Sequence, residues 1–139
     1  MGVLQNKDGI FFINKKKPFN GKLIDEDIIN TAFEFAYEMA FGNGEHRKRR
    51  SGGSLVRKPL EIFLNTFQGK IAELVLDKEL TSRGIETQGV DLKVFGEGIW
   101  DDRDIVANGK KLNVKSMAFF SNLFLLECKD WDKDGQYLH

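Results

Sequence analysis

Side chains whose types and spacing suit metal-assisted hydrolysis occur in the second half of the chain. Asp104 precedes an Asn108-Gly109 dipeptide, Asn113 and Lys115 follow it, and Glu73 lies upstream in a segment with helical periodicity. Asn-Gly between short apolar runs is the strongest local signal for a β-hairpin. Residues two apart on a strand project from the same face. Asn113 and Lys115 are therefore predicted to project together, beside Asp104 on the opposite arm.

The chemistry of these side chains suits the cleavage of a phosphodiester bond. Oxygen atoms of Asp104, Glu73 and Asn113 could hold a divalent cation next to the Lys115 ammonium. Such a cation acidifies a bound water and stabilises charge on the phosphoryl group, while the lysine positions or polarises the nucleophile. We predict all four residues as catalytic and the three oxygen donors as metal ligands.

A cation-rich segment precedes the predicted catalytic part. It is flanked by Gly42, Gly44, Gly52 and Gly53, and its basic residues are predicted to contact nucleic-acid phosphates: Arg47, Lys48, Arg49, Arg50, Arg57 and Lys58. The net charge is zero, but residues 1–70 carry 12 basic and 8 acidic side chains, so the balance of charge differs between the halves. A flexible basic loop suits phosphate binding, whereas the simpler interpretation is a solvated loop.

The stretch from Asp104 to Lys115 resembles the motif of the PD-(D/E)XK nucleases, which include many type II restriction endonucleases. In that motif, Asp on one hairpin arm is followed by Asp or Glu, any residue and Lys. Gln68-Gly-Lys-Ile-Ala-Glu73 is similar to the helix that supplies an extra carboxylate near the metal in several of these enzymes. The resemblance covers residues 67–129, about half of the chain.

The resemblance implies a restriction-endonuclease-like core, in which helices flank a mixed β-sheet. It implies an endonuclease that needs Mg²⁺, with Mn²⁺ able to replace it, and that cleaves double-stranded DNA to leave 5′-phosphate and 3′-hydroxyl ends. One site cleaves one strand, so a homodimer is expected. In the family the sheet and a second helix continue beyond the point that corresponds to the end of this chain. Two alternatives follow: the chain lacks the C-terminal part of the core, or a partner subunit completes its sheet.

Asn113 departs from the family pattern, because the motif has Asp or Glu at this position. An amide offers its carbonyl oxygen to a metal but brings no negative charge. Two alternatives remain open. Glu73 supplies the missing carboxylate from the helix, or the chain is a catalytically inactive DNA-binding module with the same fold.

The elements that must position these residues follow from periodicity and turn signals. A helix is predicted from near Ile28 to Gly42, with Ile29, Phe33, Ala36, Tyr37 and Ala40 on its packed face. A second runs from about Leu60 to Ser82, with Pro59 in its first turn and Gly84 beyond its end. Strands are predicted over four short stretches: Val90–Phe95, Asp104–Ala107, Leu112–Ser116 and Leu123–Cys128. Helices followed by strands indicate a single α/β or α+β domain, with a helical and basic part over residues 1–58 and a catalytic core over 59–139.

The composition excludes several classes of protein. One cysteine, Cys128, excludes a disulfide framework, and two histidines, His46 and His139, make a multi-histidine metal site improbable. The longest apolar runs are far too short to span a bilayer, and the N-terminus has no signal-peptide pattern. We therefore expect a soluble cytoplasmic protein without membrane contact.

Asp130-Trp-Asp-Lys-Asp-Gly135 matches the opening of an EF-hand calcium loop. A strand rather than a helix is predicted before it, which favours a simple turn. A calcium-binding interaction protein built around Asp130, Asp132 and Asp134 is the remaining alternative function.

Overall fold

The computed structural model describes residues 4–8, 10–13, 20–42, 58–93, 104–117 and 132–134. These ranges contain two helices and two β-hairpins, a mixed α and β architecture. The elements in chain order are β1 (Leu4–Lys7), β2 (Ile10–Ile13), α1 (Glu26–Phe41), α2 (Pro59–Ser82), β3 (Ile105–Ala107) and β4 (Lys110–Leu112).

The chain divides into two compact units, one formed by Met1–Leu23 with Met117–Leu138 and the other by Ile24–Ser116 with His139. The first unit contains β1 and β2, which pair antiparallel. The second contains both helices and the β3–β4 hairpin. Among the described residues, no helix is both long and apolar enough to cross a membrane. The predicted strand over Leu123–Cys128 lies outside the described residues.

Helix α1 packs against α2 through a face that matches the predicted one only in part. The buried residues of α1 are Ile28, Ala32, Ala36 and Ala40, four residues apart along one ridge. Phe33 and Tyr37, predicted in the packed face, are about half exposed. Alanine side chains allow close approach of a neighbouring helix, so the larger rings lie at the margin of the contact. The prediction is therefore confirmed at Ala36 and Ala40, whereas Ile28 and Ala32 are buried in place of Ile29 and Phe33.

The rings at this margin contact one another. Phe33 of α1 packs edge-on against Phe63 of α2, with ring centres 5.3 Å apart, and Phe63 stacks on Phe67 at 5.7 Å. Tyr37 and Phe41 extend the row along α1 at 5.3 Å. Such offset and edge-to-face arrangements are favourable beyond the area that they bury. The aromatic row therefore stabilises the α1–α2 pair.

The predicted ends of both helices are confirmed. Pro59 is in the first turn of α2, and Gly84 follows its end with a φ of +73°.

Asp25 is the N-cap residue of α1, but its carboxylate makes no capping hydrogen bond and pairs with Lys78 of α2. This hydrogen bond, reinforced by the opposite charge, raises the pKa of Lys78 above its usual 10.5. The pair therefore contributes stability that is lost as the pH rises through the pKa of the folded state.

Gly69 lies in the middle of α2, where a glycine suggests close packing against a neighbouring backbone. A Cβ atom built on Gly69 meets no heavy atom of the described residues within 4 Å. We expect Gly69→Ala to raise the free energy of unfolding by about 1 kcal/mol, because alanine is the better helix former. Urea denaturation followed by circular dichroism measures the change.

Gly84 provides the matched control for this substitution. Among the residues that the structure describes, none comes within 4 Å of a Cβ built on Gly84 either, but its φ of +73° is unfavourable for alanine. Gly84→Ala should therefore lower the free energy of unfolding. A loss of stability in Gly69→Ala would contradict the open surface at this position.

The β3–β4 hairpin forms around the predicted turn. Asn108 and Gly109 both have positive φ, +45° and +75°, as a type I′ turn requires. Ala107 pairs with Lys110, and Ile105 pairs with Leu112. The return strand thus begins two residues earlier than predicted and ends at Leu112. Asn113 and Lys115 lie beyond it, so the alternation of a strand does not determine where they project.

The strand predicted over Val90–Phe95 is not observed at residues 90–93, and residues 94 and 95 lie outside the described ranges. The chain pairs with β3 slightly earlier. Thr87 forms an antiparallel bridge with Ala107, Gln88 N–H donates to the carbonyl of Val106 at 3.0 Å, and Asn108 N–H donates to that of Glu86 at 2.9 Å. These hydrogen bonds pair backbone groups on the edge of β3 that faces away from β4. Residues 89–93 then form a loop beside the hairpin.

Candidate functional site

Asp104 is fixed at the base of the β3–β4 hairpin by two hydrogen bonds. Its N–H donates to the carbonyl of Leu112 at 3.1 Å, and its Oδ2 accepts the N–H of Val114 at 2.5 Å. The second bond closes the hairpin beyond the end of β4. Because a backbone amide holds one carboxylate oxygen, the other oxygen has a defined position from which it can bind a cation.

A pocket of about 300 Å³ opens beside Asp104. One wall is the loop that follows the bridge at Thr87, and the other is the start of the hairpin. Its charged lining residues are Asp91, Lys93 and Asp104. The Asp91 carboxylate accepts the N–H of Lys93 at 2.8 Å, which shapes the loop wall. The pocket is polar and can admit part of a polar ligand and water.

Glu73 lies on α2, where it is held by a lysine one turn earlier. Lys70 Nζ donates to Glu73 Oε2 at 2.5 Å and to the backbone carbonyl of Asp91 at 3.0 Å. The side chains of Lys70 and Glu73 are only 12% and 13% exposed. Since Asp91 also lines the pocket beside Asp104, Lys70 connects the Glu73 carboxylate to the wall of that pocket.

The segment that carries Asn113 and Lys115 lies against α2. Gln68 Nε2 donates to Ser116 Oγ at 3.2 Å, and Gln68 is five residues, about 7.5 Å of helix rise, before Glu73. Lys115 is exposed, Asn113 is half-buried, and both make further interactions. The four predicted site residues therefore belong to the same compact unit, with Asp104 immediately before β3, Asn113 and Lys115 after β4, and Glu73 on α2.

The donor set agrees with a hard divalent cation. Asp104 and Glu73 offer carboxylate oxygens and Asn113 an amide oxygen, the donors that Mg²⁺ and Ca²⁺ prefer. Within the described ranges, no group of three or more His, Cys, Asp or Glu side chains could hold a metal. If Asp104 and Glu73 held a cation, the amide of Asn113 or water would have to complete its coordination. Of the divalent cations, Mg²⁺ is the one that keeps several waters and takes only one or two carboxylates.

Most of the predicted phosphate-binding residues lie outside the described residues: Arg47, Lys48, Arg49, Arg50 and Arg57. Lys58 is described and exposed, immediately before the first turn of α2.

Of the calcium-loop candidates, Asp130 lies outside the described residues. The Asp134 N–H donates to Asp132 Oδ1 at 2.9 Å within a short turn. This local bond is typical of an Asx turn and agrees with the simple-turn interpretation.

Sequence reasoning missed four residues in and around this region. Lys70 could have been found, because a lysine three residues before a glutamate lies on the same helix face. Gln68 and Asp91 carry no such signal, since their partners are 48 and 21 residues away in the chain. Asp77 lies one turn beyond Glu73, and its Oδ1 is buried with no hydrogen-bond partner within the described part of the chain.

Comparisons of the chain with protein-family models, with curated proteins and with solved structures give no match. The resemblance to the PD-(D/E)XK nucleases therefore rests on the motif residues alone. A function has to be argued from the geometry around Asp104, Glu73 and the pocket between the hairpin and the loop.

Proposed function

We propose that this protein is a magnesium-dependent endonuclease that hydrolyses DNA phosphodiester bonds, with a restriction-endonuclease-like core. One observation carries the proposal. A carboxylate held by a backbone amide at the base of a hairpin, Asp104, lines a polar pocket whose opposite wall is bonded to the lysine that holds Glu73. Local sequence predicts the hairpin and the helix, but the hydrogen bond from Lys70 of α2 to the loop that faces the hairpin is independent support.

Each side chain has a defined role in this proposal. Asp104 and Glu73 hold Mg²⁺, with Asn113 as a neutral third donor. When bound, the cation acidifies a water and stabilises negative charge on the phosphoryl group. Lys115, exposed beside this region, orients the attacking water and contacts the phosphate. Mn²⁺ prefers the same oxygen donors and is expected to substitute.

The substrate is expected to bind through its phosphates. Lys58 is exposed at the start of α2, and the basic residues that precede it along the chain are predicted to add further phosphate contacts. Contacts of this type add affinity without sequence preference, and they weaken steeply with salt. A homodimer remains our expectation for cleavage of both strands, since each protomer contributes one set of catalytic residues.

Plasmid cleavage at low salt tests the proposal directly. Supercoiled DNA is incubated with the protein and Mg²⁺, Mn²⁺, Ca²⁺ or a chelator. We expect nicked or linear product with Mg²⁺ or Mn²⁺, and none with chelator. A protein that cleaves equally well with and without chelator would contradict the metal-dependent mechanism, and one that neither cleaves nor binds DNA would contradict the proposal.

A DNA-binding module without catalysis is the second candidate, and the neutral Asn113 favours it. Under this alternative the wild-type protein shifts DNA in a gel without cleaving it. Asn113→Asp then restores the missing charge, so metal binding or cleavage should appear. Asn113→Ser, which is polar but neutral, is the matched control. If the wild type already cleaves DNA, the binding-only function is excluded.

A further inference from the structure

We propose that Lys70 is the positioning residue of the metal site, holding Glu73 and the pocket wall in the geometry that binds the cation. This inference rests on the proposed function and deepens it. Lys70 does not touch the substrate in this view. It acts through the two groups that it bonds, the Glu73 carboxylate and the Asp91 carbonyl.

The surroundings of Lys70 leave its ammonium little freedom. It donates to Glu73 Oε2 at 2.5 Å and to the Asp91 carbonyl at 3.0 Å, and it lies 4.6 Å from the centre of the Phe35 ring. A lysine ammonium has three donors, so two hydrogen bonds and a ring face occupy most of its directions. With the side chain only 12% exposed, water competes weakly for these contacts.

The three partners of Lys70 come from three parts of the fold. Phe35 belongs to α1, Glu73 to α2, and Asp91 to the loop that lines the pocket beside Asp104. The ammonium therefore connects one predicted metal ligand to the wall facing the other. A mobile Glu73 would have to be ordered whenever a cation binds, at a cost in affinity. Lys70 removes part of this cost by ordering the carboxylate in advance.

The sign of a substitution effect separates positioning from a simple charge effect. A cation beside a metal ligand repels the metal, so loss of its charge alone would tighten metal binding. Loss of positioning would weaken metal binding instead. Residues that orient metal ligands typically contribute about 10–100-fold to metal affinity or activity.

Binding of Mn²⁺ alone, measured by electron paramagnetic resonance without DNA, tests the inference. Wild type is compared with Lys70→Met, which keeps the apolar stem, and with Lys70→Arg, which keeps the cation and donors. Lys78→Met is the matched control. Lys78 lies on the same helix, and its partner Asp25 is far in sequence from the residues that line the pocket. Thermal denaturation checks that each variant is folded, and Lys70→Gln replaces Lys70→Met if that variant is unfolded.

We expect Lys70→Met to weaken Mn²⁺ binding by about tenfold or more. Lys70→Arg should recover part of this loss, and Lys78→Met should bind as the wild type does. At saturating Mn²⁺, cleavage by Lys70→Met should approach the wild-type rate, because the residue acts on the ligand and not on the reacting atoms. A merely structural role would lower the melting temperature without changing the Mn²⁺ midpoint of the folded protein.

Unchanged or tighter Mn²⁺ binding in Lys70→Met would overturn the inference while leaving a cleaving wild type, and hence the proposed function, intact. A wild-type protein that neither binds Mn²⁺ nor cleaves DNA would overturn both. The two failures are therefore distinguishable by the wild-type measurement.

Discussion

Asp104→Asn is expected to lower the rate of metal-dependent DNA cleavage by about 10³-fold or more. A catalytic cation contributes several kcal/mol of transition-state stabilisation, and each ~1.36 kcal/mol corresponds to a factor of ten in rate. The asparagine oxygen can still accept the N–H of Val114, so the hairpin base keeps its hydrogen bond. The substitution removes the charge and leaves the local fold in place. Single-turnover plasmid cleavage measures the rate, and a gel shift measures DNA affinity.

Asp27→Asn provides the control for this change. Asp27 is exposed in the first turn of α1, and the same charge is lost there without contact with the pocket. We expect the control to cleave at the wild-type rate and Asp104→Asn to retain DNA binding. Wild-type cleavage by Asp104→Asn would rule out Asp104 as a metal ligand and, with it, the proposed catalytic site.

Lys115→Met is expected to lower the cleavage rate by about 10²–10⁴-fold, the range typical of a group that assists proton transfer or orients a nucleophile. The side chain is exposed, so the free energy of unfolding should change little. Metal binding should persist, because Lys115 is not a ligand in the proposal. Cleavage at saturating Mg²⁺ and Mn²⁺ binding without DNA together separate these effects.

Lys110→Met is the matched control in the same hairpin. Lys110 begins β4 and is also exposed, so its loss removes an equal charge from the same surface. If both variants lose activity to the same degree, and raising the DNA concentration restores it, Lys115 only contributes phosphate affinity. A selective loss in Lys115→Met at saturating DNA supports its role beside the reacting atoms.

The local sequence was enough to predict the ends of α2 and the turn of the β3–β4 hairpin. Pro59 and Gly84 mark the ends of α2 because proline lacks an N–H that the first turn does not need, and glycine adopts the positive φ that follows a helix. Asn108-Gly109 determines the hairpin turn because both residues tolerate positive φ. These preferences act within a few residues, so they are readable without the rest of the fold.

Only the tertiary structure decided which faces and partners those elements use. The buried ridge of α1 is Ala32, Ala36 and Ala40 rather than the larger apolar residues beside them, because close helix packing selects small side chains. Likewise, β3 pairs with residues 86–88 rather than with the alternating stretch after Val90, and β4 ends before Asn113. Periodicity indicates that a face or a strand exists, but it does not determine the partner.

In the candidate site, too, some features follow from local sequence and others only from the tertiary structure. Asp104, Asn113, Lys115 and Glu73 were predicted from residue type and spacing, because the hairpin and the helix that carry them are local structures. The bond from Lys70 to the Asp91 carbonyl joins residues 21 apart, and it depends on how α2 lies against the loop. The residue types of the candidate site can therefore be read from short stretches of sequence. The connection that positions Glu73 arises instead from packing between distant segments. Such packing depends on the shapes of both surfaces, which no single stretch of sequence specifies.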